Sequence, residues 1–173
     1  MILLRCTKRL LKQSGLSADE ELTEASTAPL GEWYTNVAFL PFPGRALVVY
    51  AHRPSRLTAL VPGRSVRTTL DTFRQRTADL LDRTGAPASF IDIQQQAMTD
   101  VTMRTTDDRS MLGSLTDIIK HVKFHAGRAR RFETFDLSAV EDELSIMPHM
   151  PIDGQSPDRW IDALVAQREA GRR

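Results

Sequence analysis

Apolar positions change their spacing along this chain, and each spacing predicts a different element. Ile2 to Cys6 reads as a short strand, and Leu10 and Leu11 fall in a turn of helix from Thr7 to Gln13 for which Thr7 supplies the N-cap. No apolar period crosses Ser14 to Glu32, a stretch rich in small and acidic residues (Asp19, Glu20, Glu21, Glu24), so a mobile acidic loop is expected over 14–32. Three β-type stretches follow: Trp33 to Leu40, Ala46 to His52 and Arg56 to Val61. Pro41-Phe42-Pro43-Gly44 and Arg53-Pro54-Ser55 separate them, turn signals short enough to make antiparallel neighbours. Pro62-Gly63 ends this meander. Ser65 then stands as N-cap to a helix in which Val66, Leu70, Phe73, Leu80 and Leu81 recur at helical spacing, and Gly85 is its stop.

The second half repeats the alternation of helix and strand. Pro87 opens a helical stretch to about Met98, with Phe90, Ile93 and Ala97 turned inward and Gln94, Gln95 and Gln96 outward. Asp100 to Thr105 alternates Val101 and Met103 with polar residues and reads as a strand. Thr106-Asp107-Asp108 supplies candidate caps for the clearest helix, Arg109 to Ala126. There Met111, Leu112, Leu115, Ile118, Ile119, Val122 and Ala126 share an arc of about 120°, and Gly127 is expected to end it. A helix near Asp136 to Ile146, a proline-interrupted loop and a C-terminal helix over about 156–170, carrying Trp160, Ile161, Leu164 and Val165, complete the chain. The order predicts one α+β domain over 1–173, a small antiparallel sheet of about four to five strands with helices packed on one face.

Composition narrows the class. The 173 residues are 41% hydrophobic, and 23 basic side chains face 22 acidic ones, so net charge names no partner. The longest apolar run, Ala46 to Ala51, is far short of the roughly 20 residues that span a bilayer, so no membrane role is expected. A lone Cys6 cannot form an internal disulfide or a multi-cysteine metal site. Arg5, Lys8, Arg9 and Lys12 follow the apolar start with no core of signal-peptide length behind it, which points to a cytoplasmic protein.

Catalytic sets are harder to find. No glycine run ends in Gly-Lys-Ser/Thr, no closely spaced glycines join a strand to a helix, and neither Ser110 nor Ser114 sits between flanking glycines at the nucleophile-elbow spacing. Cys6 precedes a helix start with Lys8 and Arg9 nearby, but a sixth residue in a first strand reads as core rather than as a reactive thiolate. His121 and His125 lie four apart on the best helix, the spacing with which two imidazoles hold one metal. Asp117, one turn earlier, stands about 12 Å from His125 along the axis and cannot complete that set. The pair therefore reads as histidines at a core margin, and neither metal nor cofactor is expected. His52 and His149 have no partner identifiable from spacing. Lys120, Lys123, Arg128, Arg130 and Arg131, with Phe124 and Phe132 interleaved, form the best local case for nucleic acid, though Asp136, Glu141, Asp142 and Glu143 follow closely.

Three motifs read together. Arg5-Cys6-Thr7-Lys8 before Leu10-Leu11, Leu30-Gly31 with Trp33-Tyr34 and Asn36, and Arg109-Ser110-Met111-Leu112-Gly113-Ser114 with Asp117 resemble an uncharacterised bacterial family, a domain of unknown function, along nearly the whole chain. A similar module also stands ahead of plasmid ORF-3-like domains in longer proteins. The chain departs from that pattern at Thr116, where an asparagine is usual, and at Pro41-Phe42-Pro43, which replaces a more charged hairpin. The resemblance implies a shared fold and supplies no reaction.

The resulting expectation is a non-enzymatic binding or interaction module with a protein partner or small anionic ligand, held by Arg5, Lys8, Trp33, Asn36, Arg109, Ser110 and Asp117. Arg109-Ser110 is the centre of that expectation, because a cation and a hydroxyl at a helix start stand beside free backbone N–H groups. The alternatives are a nucleic-acid-binding protein using Lys120, Lys123, Arg128, Arg130 and Arg131, and a hydrolase or nuclease using His121, His125 or Cys6. An apolar C-terminal helix bearing Trp160 leaves a homo-oligomer open.

Overall fold

The computed structural model describes residues 1–17, 26, 28–148 and 154–171. Asp19, Glu20, Glu21 and Glu24, His149, and most of the turn around Pro148 to Gly154 lie outside the described residues. In chain order the elements are β1 (Ile2–Cys6), α1 (Lys8–Ser14), β2 (Glu32–Phe39), β3 (Ala46–His52), β4 (Thr58–Pro62), α2 (Val66–Arg83), α3 (Ala88–Ala97), β5 (Val101–Thr105), α4 (Arg109–Arg128), a 3-10 turn (Phe132–Thr134), α5 (Leu137–Ile146) and α6 (Pro157–Ala170). The fold is α+β. Among the described residues the strands form a single five-stranded sheet in the order β4-β3-β2-β1-β5.

The sheet is mixed rather than antiparallel. β2, β3 and β4 are the expected antiparallel meander, but β1 runs parallel to both β2 and β5. Connectivity explains the difference: no hairpin joins β1 to either neighbour, and strands linked through a helix come back in the same direction. The helices also cover both faces instead of one. Ile2, Leu4, Cys6, Trp33, Val48 and Tyr50 point into a core closed by α1, α2, α3 and α6. Tyr34, Ala38, Leu47, Val49 and Leu60 point the other way, into a second core closed by α4 and α5. β3 is consequently buried at every position.

Local chemistry fixes the ends of the elements. The Thr7 hydroxyl accepts from Leu10 N at 3.3 Å, capping α1, and Gly15 ends that helix at φ +64°. Ser65 makes no side-chain cap bond. Instead the buried Ser14 hydroxyl accepts from Val66 N at 3.1 Å, tying α1 to the start of α2. The stretch read as an exposed loop is not exposed throughout, since Ala28, Pro29, Leu30 and Gly31 are buried. Gln94 explains this: read as outward-facing, its amide is fully buried, accepting from Leu30 N at 2.9 Å and donating to Leu30 O at 3.1 Å. α4 continues through Gly127 to Arg128, because the apolar stripe and Ala126 hold it against the sheet beyond the glycine.

Candidate functional site

Parallel pairing of β1 sets Arg5 level with Tyr34 on β2 and with Arg104 on β5. Leu4, Cys6 and Met103 alternate with these residues and face the α2 and α3 side, so Arg5 and Arg104 project from the opposite face. There α4 lies over β2 and β3, and α5 over β4. The β1 and β5 end of that face is left as an open cleft of about 420 Å³, lined among others by Leu3, Arg5, Pro29, Gly31, Glu32 and Arg104. Gly31 in its wall has no room for a side chain, since a Cβ there would collide with the side chain of Ser26.

An ionic network closes one side of the cleft. Arg5 Nε donates to Glu32 Oε1 at 2.5 Å, and its Nη1 lies 3.0 Å from Asp107 Oδ2. The other Glu32 oxygen accepts from Arg53 Nη1 at 3.0 Å, and Arg53 Nε reaches Asp108 Oδ2 at 3.5 Å. The Tyr34 hydroxyl donates to Asp107 Oδ1 at 3.4 Å, and burial, with Glu32 adding to it, pushes that phenol above its ordinary value and keeps it neutral. Asp108 is also the cap of α4, accepting from Ser110 N at 2.9 Å and Met111 N at 3.1 Å. Arg56, in the turn before β4, adopts φ +64° and is held by a 3.1 Å bond from its Nε to Ser114 Oγ. Burial lowers the pKa of its guanidinium, partly offset by Asp108.

Arg104 is the exception in this balance. Among the described residues its buried Nε has no hydrogen-bond partner, and no acid pairs with it. Among the described residues, the cleft therefore presents a guanidinium that no carboxylate pairs.

The motif residues do not gather around it. Arg5 lines the cleft. Trp33 faces the opposite core, fully buried, with Nε1 donating to Leu30 O at 2.8 Å and its ring edge-on to Phe73 at 5.1 Å. Asn36 binds locally, its Oδ1 accepting from Val37 N at 2.8 Å and from the Thr7 hydroxyl at 3.3 Å. Lys8 is exposed on α1. Arg109 and Ser110 are exposed at the start of α4, but Asp108 already takes the N–H groups of Ser110 and Met111. Asp117 lies further along α4, paired with Lys120 at 3.0 Å. Gly113 is not a close-packing glycine, since a Cβ there would meet nothing within 4 Å.

Of the basic run, Lys120 is thus occupied, while Lys123, Arg128, Arg130 and Arg131 are exposed. Arg128 stacks over the ring of Phe124 at 5.6 Å, and Phe124 is 61% exposed. Cys6 is fully buried, and burial pushes its thiol up to about 12, the reverse of what a nucleophile needs. The apolar face of α6 packs on its own domain, with Ile161 buried and the Trp160 ring 5.4 Å from His52. Among the described residues no helix is long and apolar enough to cross a membrane.

Sequence reading missed Glu32, Arg53, Arg56 and Arg104 as site residues. The alternation Val101-Thr102-Met103-Arg104 was the available signal for Arg104, because it places an arginine on the polar face of a strand. A model described as Domain of unknown function (DUF6933) matches residues 3–160. No curated protein matches the chain.

Proposed function

The chain belongs to the DUF6933 family, a domain of unknown function, and from that premise we propose that it is a binding module whose cleft takes a small anionic ligand, carboxylate or phosphate, on Arg104. The observation that carries this reading is Arg104 itself, a guanidinium in the wall of an open cleft of about 420 Å³ whose buried Nε has no partner among the described residues. A planar guanidinium suits a carboxylate or phosphate, which accepts from it in bidentate fashion. Glu32, held by Arg5 and Arg53, restricts the choice, because a ligand must keep its charge on the Arg104 side and away from that carboxylate. This reading moves the expected anion site from the start of α4 to the β1–β5 end of the sheet, with the Asp107–Asp108 segment as its rim.

The test is a thermal-shift panel of phosphate- and carboxylate-bearing compounds on wild type and Arg104→Gln. At least one class stabilises wild type, and R104Q loses that stabilisation while keeping its unliganded melting temperature to within a few degrees. A panel with no stabilising anion, or one whose hits act equally on R104Q, overturns the reading.

A second reading, nucleic-acid binding, is favoured by Lys123, Arg128, Arg130 and Arg131, which have no acidic partner among the described residues, and by exposed Phe124 stacked under Arg128. It predicts retention on single-stranded nucleic acid that falls steeply with salt and is lost when these four residues become glutamine. Unchanged retention removes it.

A further inference from the structure

α4 carries His121 and His125 one helical turn apart, and α5 brings Glu143 against both. Glu143 Oε1 lies 3.3 Å from His121 Nε2, and Oε2 lies 3.2 Å from His125 Nε2. One donor atom from each residue falls within 4.8 Å of the others, and the two imidazole centroids are 4.6 Å apart. The histidine pair lacked only a third ligand when read from spacing, and packing of α5 on α4 supplies it. We propose that His121, His125 and Glu143 form a site for a divalent transition-metal ion, Zn²⁺ being the best match. It is separate from the cleft: His121 stands thirteen positions along α4 from its cap Asp108, a span of about 20 Å.

Three observations carry this assignment. First, the spacing is close: Glu143 stands 3.3 Å from one imidazole and 3.2 Å from the other, each through a different oxygen, and one donor atom from each residue lies within 4.8 Å of the others, so small side-chain rotations bring all three to the separation of about 3.3 Å that ligands take around a tetrahedral zinc. Second, His121 Nε2 is buried with no hydrogen-bond partner among the described residues, although Glu143 is within ion-pair distance. A buried ring nitrogen left unsatisfied is costly, whereas a lone pair directed at a metal is satisfied. Third, the donor set is selective. Two imidazoles and one carboxylate suit zinc and its neighbours, whereas calcium and magnesium ask for oxygen donors throughout. Glu143 has 46% of its side chain exposed, so the fourth position opens to solvent and would hold water.

The test uses untagged, full-length, chelator-treated protein titrated with Zn²⁺ by calorimetry, and with Co²⁺ followed by visible absorption. Wild type takes up one Zn²⁺ per chain and shows the intense d–d bands of four- or five-coordinate Co²⁺. Glu143→Gln and His125→Gln, both at partly exposed positions and checked for fold by circular dichroism, weaken Zn²⁺ binding by at least about tenfold and abolish those bands. Absence of stoichiometric Zn²⁺ uptake by wild type, weak six-coordinate Co²⁺ spectra, or uptake that survives E143Q and H125Q unchanged would each overturn the assignment.

Discussion

His52 is buried beside Trp33 and Trp160, with its Nδ1 2.8 Å from the Ser55 hydroxyl, and this environment has a consequence for pH. Burial, helped by the charge of Arg56, lowers its pKa to about 3. An unfolded histidine titrates near 6.5, so above that pH both states are neutral and the residue adds no pH dependence. Between about 6.5 and about 3 the unfolded chain binds a proton that the folded protein refuses, and stability falls by about 1.4 kcal/mol per pH unit. Urea unfolding at pH 6.5 and pH 5 is expected to show a loss of about 2 kcal/mol in wild type from this group alone. His52→Gln has a correspondingly flatter profile; parallel profiles would remove His52 as the cause. At this scale sequence was a partial guide. Arg5 was legible because it sits in a motif. Arg104, about a hundred residues away in sequence, was not, because only the β1–β5 register brings the two side by side. Glu32 was masked by the acidic stretch before it.

At the scale of elements, periodicity was the better guide. Ala46–His52 is observed as expected, and α4, α5 and α6 start within a residue or two of their expected caps. These signals are local, so they survive without knowledge of neighbours. What joins the elements was less visible. Glu141 on α5 is fully buried, accepting from Leu60 N at 2.7 Å, from Arg76 Nε at 2.9 Å and from Arg83 Nη2 at 2.8 Å, so one carboxylate pins α5 to both β4 and α2. In sequence it looked like one of several acids balancing a basic run. Glu141→Ala leaves the Leu60 N–H without its acceptor and takes the buried carboxylate from two arginines, of which Arg83 keeps Asp142, and the expected cost is about 3–5 kcal/mol in chemical denaturation. A loss below about 1 kcal/mol would show that water replaces the carboxylate.

For the whole molecule, the two departures from expectation have separate origins. A continuous apolar run such as Ala46 to Ala51 is the mark of a strand covered on both faces, and with it the helices had to divide between two layers. Strand direction is a property of connections rather than of composition, so the parallel pairing of β1 left no trace in its short sequence. Division of the helices also explains where the cleft is: α4 and α5 cover one side of the sheet only as far as β2, and β1 and β5 are left with a polar face. The cleft, the ionic rim from Arg5 to Asp108, and the unmatched Arg104 all follow from that geometry. The most direct measurement is a ¹H–¹⁵N NMR titration of the full chain with inorganic phosphate and with citrate, observing the Arg104 side-chain Nε–H. One of these anions is expected to shift that resonance saturably, together with the amides of Arg5 and Gly31. Shifts confined to Lys120–Arg131, or an Arg104 signal that does not move, would contradict it.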